Sequence, residues 1–239
     1  MADPRLIVAL DVPSLMEAKG LVAALGDAVQ FYKVGMALFY RVGFSVLDYL
    51  RSEGKEIFLD LKLHDIPNTV AEGLCSLMEA QVSLLNVHAQ GGYAMMKTAA
   101  ERLRAKAEEK GVPAPKLIAV TVLTSLGEEE WQRLGNTEPI ARQGIRLAKL
   151  AKEAGLDGVV ASPWEAAEIR QACGKDFLIV TPGIRPAGSE AADQYRIATP
   201  AAALQNGATH LVVGRPIYHA PDPRAAALAI LKEMGGSLS

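Results

Sequence analysis

Eight short apolar runs rich in β-branched residues, each followed by a stretch of helical periodicity, predict an α/β protein of the (β/α)8 TIM-barrel class. The length agrees, because 239 residues make a single barrel domain spanning 1–239, and no Ser/Gly-rich linker or low-complexity tract divides them. A doubly wound open sheet is the competing arrangement. Against it, no G-x-G-x-x-G turn follows the first run, and eight units exceed what one such sheet needs.

The first run, "LIVALDV", spans Leu6 to Val12. Ser14, with Glu17 three residues on, has the spacing of a capping box for the next helix, in which Gly20 marks an irregularity and Gly26 the exit. The second strand is "FYKVGM", Phe31 to Met36, and the third is "EIFLDLK", Glu56 to Lys62. Pro67 suits the first turn of the helix after it, where the missing N–H is not needed. "LLNVHA" from Leu84 to Ala89 and "KLIAVTVL" from Lys116 to Leu123 are the fourth and fifth strands. "GVVAS" from Gly158 to Ser162, "FLIVTP" from Phe177 to Pro182 and "HLVVGR" from His210 to Arg215 complete the set. The longest break in the alternation is the polar stretch after the seventh strand, which predicts an active-site lid over about residues 183–198.

Composition excludes several function classes. Half the residues are hydrophobic and 22% are charged, the balance of a globular protein with a large core. A net charge of -2 leaves no basic excess, so no nucleic-acid partner is expected. The run "LIVAL" stops at Asp11, too short for a signal-peptide core, and no run approaches the ~18 apolar residues of a membrane span. Cys75 and Cys173 lack metal-ligand spacing and read as reduced core thiols, which suits a cytoplasmic compartment. The four histidines show no H-x-x-H or H-E-x-x-H spacing, so no metal is indicated. His88, near a strand end, reads as an interior or interface residue, and Trp131 and Trp164 as packing residues.

Charges concentrate where a barrel carries its chemistry, at the C-terminal ends of strands. Asp11 ends the first strand, Lys33 lies in the second, and Asp60 and Lys62 lie near the end of the third. Residues two apart on a strand share a face, so Asp60 and Lys62 point together into the barrel mouth or together into the apolar helix layer. The second choice buries charge at a cost of several kcal/mol, whereas the mouth lets the two compensate each other. Gathered with Lys33 and Asp65, they make a neutral set of alternating sign. A carboxylate ~4 Å from an ammonium attracts it by ~4 kcal/mol at an effective dielectric of 20, which favours a charged lysine that donates protons over an imine-forming one. A second constellation follows the last two strands: "TPGIRP" supplies Gly183 and Arg185, and "VVGRPI" supplies Gly214 and Arg215, where barrels frequently hold a phosphate.

"DLKLHDIPNT", taken with "ALDV", "YKVG", "TVLTS", "TPGIRP" and "VVGRP" in that family's order, resembles the orotidine 5'-monophosphate decarboxylases over nearly the whole chain. The resemblance implies a cofactor-free conversion of orotidine monophosphate to uridine monophosphate, the last step of pyrimidine nucleotide synthesis, by a homodimer with shared active sites. It makes Lys62 the proton donor to C6 and sets Asp60 against the departing carboxyl group. Lys33 would hold Asp60 and a ribose hydroxyl, Asp11 would bind ribose hydroxyls, and Asp65 and Thr69 would enter from the partner subunit. Thr124 would contact the pyrimidine, Pro182 would pack on the ring, and Arg185, Gln194 and Arg215 would hold the phosphate, with Gln194 also touching the base. Related phosphosugar enzymes such as 3-keto-gulonate 6-phosphate decarboxylase share the D-x-K-x-x-D segment. They are expected to carry an acid for magnesium where Lys33 stands. A non-catalytic nucleotide sensor is a third reading, opposed by the retention of both Asp60 and Lys62.

Overall fold

A computed structural model describes residues 2–186 and 197–235. Eight parallel strands close a barrel in chain order: β1 (Leu6–Ala9), β2 (Phe31–Gly35), β3 (Glu56–Leu63), β4 (Leu84–His88), β5 (Lys116–Val120), β6 (Gly158–Val160), β7 (Leu178–Thr181) and β8 (His210–Val213). β8 returns to pair with β1, so each of these eight strands is paired on both sides.

The two-residue period sorts the side chains into two cores. Leu6, Val8, Tyr32, Val34, Ile57 and Leu59 face outward into the core shared with the helices. Ile7, Ala9, Phe31, Phe58, Leu84 and Val212 fill the barrel interior. Continuing the inward face two residues at a time toward the mouth leads from Ala9 to Asp11, from Phe31 to Lys33 and from Phe58 to Asp60. The same face of each strand is therefore apolar at the base and charged at the opening, where the charges of neighbouring strands pair with one another.

Every strand ends before the expected boundary, by one to three residues except at β3, which runs one residue further. Leu10 and Val122 are buried but lie beyond the paired stretches of β1 and β5. Both pack into the core shared with the helices, and although Leu10 N–H still donates to Lys33 O at 2.9 Å, apolarity runs on past the regular ladder.

The helix-end signals at Ser14, Gly26 and Pro67 are reproduced. Ser14 caps the helix Leu15–Leu25: its Oγ accepts from the N–H of Glu17 at 3.2 Å and donates to Glu17 Oε1 at 3.0 Å. Gly26 ends that helix at φ 54°, but Gly20 sits within it without interruption. Pro67 opens the helix Pro67–Leu77 as expected. Trp131 is buried and donates to Glu138 O at 2.8 Å. Trp164 is instead 61% exposed, because its indole N–H reaches the chain at Ile197 O rather than a core. Cys173 is buried and Cys75 half-buried. No helix among the described residues is long and apolar enough to cross a membrane.

Candidate active site

A cavity of about 250 Å³ opens at the C-terminal end of the barrel. Four charged side chains from three adjacent strands meet in it, and their signs alternate. Lys33 Nζ lies 3.1 Å from Asp11 Oδ1 and 3.3 Å from Asp60 Oδ2, and Lys62 Nζ lies 2.6 Å from Asp60 Oδ1. Asp60 and Lys33 are less than a tenth exposed, whereas the Asp11 side chain is half exposed. Burial pushes the Asp60 carboxyl up, but Lys33 and Lys62, with hydrogen bonds from Lys62 and Asn86, outweigh it and hold the group below the usual carboxylate range. For Lys33, burial pulls the ammonium down and is outweighed by Asp60 and Asp11, which raise it. Both groups are ionised at neutral pH.

Lys62 reaches this position by an unusual backbone. Leu59 pairs with Leu85 and Leu63 with Val87, so four residues of β3 advance against two of β4. Within that bulge Lys62 adopts φ 52°, a left-handed conformation uncommon for a residue with a side chain. The expectation that Asp60 and Lys62 share a face holds in outcome, but simple strand alternation is not how it is achieved. The irregular segment is tied to β4 by Asn86, whose Oδ1 accepts from the Lys62 N–H at 2.8 Å while its Nδ2 donates to Asp60 Oδ1 at 2.7 Å.

The remaining expected residues divide into three groups. Thr124, Pro182, Arg185, Gly214 and Arg215 line the same cavity as the charged four. Arg185 is buried and donates from Nη1 to Ile184 O at 2.9 Å. Asp65 and Thr69 are exposed and outside the cavity of their own chain, with Asp65 Oδ1 accepting from the N–H of Ile66 at 2.7 Å. The neutral alternation within one chain is therefore completed by Asp11 rather than by Asp65. Gln194 and residues 187–196 of the expected lid lie outside the described residues. On either side of them, Ile184 bridges to Ala198, and Arg185 N donates to Ala198 O at 3.0 Å.

Two contributors were missed from sequence. Asn86 is 1% exposed, and its signal was a polar amide in the middle of an otherwise apolar strand, a residue type depleted there. At Gly35, a Cβ would stand 3.1 Å from Lys33 Nζ and 3.3 Å from Asp11 Oδ1, so the glycine keeps room for that ion pair. His88 stacks obliquely near His64, with ring centroids 5.4 Å apart, and does not line the cavity. Burial, reinforced by His64 and Lys62 against an opposing Asp60, pushes its imidazole below the ordinary histidine value.

Chemically, the cavity joins a lysine held against a buried carboxylate to two arginines suited to a dianion. Among the described residues no three His, Cys, Asp or Glu side chains gather as a metal site would require. Asp11 and Asp60, the acids at hand, already face Lys33.

The chain is similar to known proteins along almost its entire length. Orotidine 5'-phosphate decarboxylase of Moorella thermoacetica is 50% identical over 234 residues, 98% of this chain and 93% of that protein. The protein of the same name from Geotalea daltonii is 48% identical over 235 residues, 98% of this chain and 97% of its own length. The crystal structure of orotidine 5'-phosphate decarboxylase from Lactobacillus acidophilus superposes with a TM-score of 0.84 at 44% identity, covering 98% of this chain and all of that one. The model of one family matches residues 4–230, from before β1 to within the last helix, Pro223–Glu233. The chain belongs to the orotidine 5'-phosphate decarboxylase / HUMPS family.

Proposed function

We propose that this chain decarboxylates orotidine 5'-monophosphate to uridine 5'-monophosphate without a cofactor, with Lys62 delivering the proton to C6. The observation that carries this reading is the run Asp11, Lys33, Asp60, Lys62, ending in an ammonium 2.6 Å from a buried carboxylate inside the cavity.

The chemistry explains why such a site suffices. Breaking the bond from C6 to the carboxylate releases carbon dioxide and leaves the electron pair on C6, in the plane of the ring, where the π-system cannot delocalise it. The charge must be met electrostatically. The Lys62 ammonium does so from a position fixed before the reaction starts, then gives its proton to C6 and is reprotonated from solvent. Enzymes lower barriers by about 8–23 kcal/mol, and electrostatic preorganisation is usually the largest part. Asp60 sets the ammonium's position and faces the departing carboxylate. Lys33, charged and buried, orients Asp60 and offers a donor to the ribose, whose hydroxyls meet Asp11. Thr124 and Pro182 flank the base, and Arg185 and Arg215, with Gly214 allowing close approach, take the phosphate, where Gln194 joins them. Lys33 occupies the place from which a metal-dependent relative would present an acid, and its charge opposes a divalent ion there.

In this reading the enzyme is a homodimer, with Asp65 and Thr69 completing the partner's site. Both are exposed, Asp65 just after β3 and Thr69 in the first turn of the helix Pro67–Leu77. In the segments that follow three neighbouring strands, Met36, Tyr40 and Phe44 after β2, Ile66 after β3 and Tyr93 after β4 are large apolar side chains 42–71% exposed. A self-complementary contact across such a surface suits an isologous dimer.

The test is the loss of orotidine monophosphate absorbance on adding purified protein in EDTA. Turnover is expected. No loss overturns the assignment, and loss only with added magnesium assigns the chain to metal-dependent chemistry.

A further inference from the structure

We propose that Asn86 is a positioning residue for this reaction, holding the Asp60 carboxylate and the Lys62 main chain through one side-chain amide. The inference rests on the decarboxylase reading above and assigns a role to a residue that does not line the cavity.

The amide is wedged between two partners that dictate its orientation. The Lys62 N–H can only donate, so Oδ1 must face it, at 2.8 Å. Asp60, held ionised, can only accept, so Nδ2 must face its Oδ1, at 2.7 Å. Asn86 is 1% exposed, so water does not compete for either bond. Asp60 Oδ1 is also the oxygen that meets Lys62 Nζ at 2.6 Å. The amide thus fixes both ends of the Lys62 side chain: the backbone from which it springs and the carboxylate on which its ammonium rests.

The need for such a clamp follows from the bulge between β3 and β4. With four β3 residues set against two of β4, the main-chain ladder does not hold this stretch in register. Lys62 stays at φ 52°, a conformation that side-chain-bearing residues leave readily unless their surroundings over-determine it. Released toward the ordinary β region, Lys62 would swing its side chain away from Asp60. A misplacement on the order of 1 Å at a reacting group costs about 100-fold in rate.

The discriminating variant is Asn86→Asp, nearly identical in volume. It keeps an acceptor for the Lys62 N–H but turns the donor facing Asp60 into a second carboxyl group. Ionised, that group repels Asp60; protonated, it donates to Asp60 as the amide did. The charged and titratable groups around this pair are Lys33 from β2, Lys62 from β3, and His88 with its neighbour His64. All are common to the wild type, so the ratio of variant to wild-type kcat cancels their titration. At pH 8 that ratio is expected to fall about 100-fold, with KM and uridine monophosphate affinity within a few-fold of wild type, and it should climb as the pH is lowered toward 5. Asn86→Ser, which is neutral and too short to span both partners, should lose kcat at every pH without the acid recovery. It also serves as the test should Asn86→Asp not fold, with retained uridine monophosphate binding reporting the folded site.

A wild-type chain that does not turn over orotidine monophosphate removes the decarboxylase reading itself. If the wild type turns over, kcat within about threefold of it at pH 8 in a folded Asn86→Ser chain overturns the positioning role. So does a loss confined to thermal stability, or a pH-independent loss in Asn86→Asp.

Discussion

Replacing Asp60 by alanine should destabilise the fold more than replacing Lys62 by alanine, although both remove one charge from the same site. Asp60 lies between two ammonium groups, with Lys33 Nζ at 3.3 Å and Lys62 Nζ at 2.6 Å. At an effective dielectric of 20 each attraction amounts to about 5–6 kcal/mol before desolvation is subtracted. Without Asp60, the buried Lys33 keeps the half-exposed Asp11 as its carboxylate, and the two lysines face each other with nothing between them. Uncompensated buried charge of this kind costs about 3–5 kcal/mol. For a chain of this size that lowers Tm by roughly 6–20 °C. Lys62→Ala leaves Asp60 with Lys33 and the Asn86 amide, and removes a side chain that is 25% exposed, so its cost is about 1–2 kcal/mol. Urea unfolding followed by circular dichroism at pH 7 compares the two. The pH dependence checks the cause. The Asp60 carboxyl is held below its unfolded value of about 3.9, so its contribution is fully present above that value and is lost as the pH falls through the folded one. The gap between wild type and Asp60→Ala should therefore be flat from pH 6 to 8, as about pH 4 is the upper edge of its decline. An Asp60→Ala chain as stable as Lys62→Ala at pH 7, or a gap that does not narrow in acid, would refute the reasoning.

Steady-state kinetics should separate the two ends of the site. Lys62→Ala is expected to abolish turnover with uridine monophosphate affinity largely kept, and Arg215→Ala to raise KM first, since the phosphate contact acts in the ground state as well. Gly35→Ala places a methyl 3.1 Å from Lys33 Nζ and 3.3 Å from Asp11 Oδ1, so it should cost about 1–3 kcal/mol in denaturant unfolding and lower kcat/KM; an unaltered kcat/KM would show that the Lys33–Asp11 pair needs no such space. Lys62→Ala and Asp65→Ala chains, each nearly inactive, should recover roughly a quarter of wild-type activity when refolded as an equal mixture, because half the dimers are mixed and each carries one intact site. Verified subunit exchange without recovery would mean that each chain builds its own complete site.

The barrel was legible because its determinants are local and repetitive: two-residue alternation in the strands, and signals such as Ser14, Gly26 and Pro67 at helix ends. Asp11, Lys33 and Asp60 were legible for the same reason, since each continues the inward face of its strand to the mouth, where opposite charges from neighbouring strands meet. Gly20 misled, because a glycine in an otherwise favourable helix weakens it without breaking it. Strand ends were overestimated because an apolar residue is buried equally well by a neighbouring helix as by a ladder. What no stretch of sequence contained was the relation between β3 and β4. The bulge is a mismatch between two strands 20 or more residues apart, and neither strand alone specifies it. The left-handed Lys62, the double use of Asn86 and the closeness of Gly35 to the Lys33–Asp11 pair all depend on which backbone lies alongside. Sequence determined which residues carry charge into the barrel mouth, because that depends on periodicity along one strand; tertiary structure alone decided how those charges are aimed, because aiming depends on register between strands.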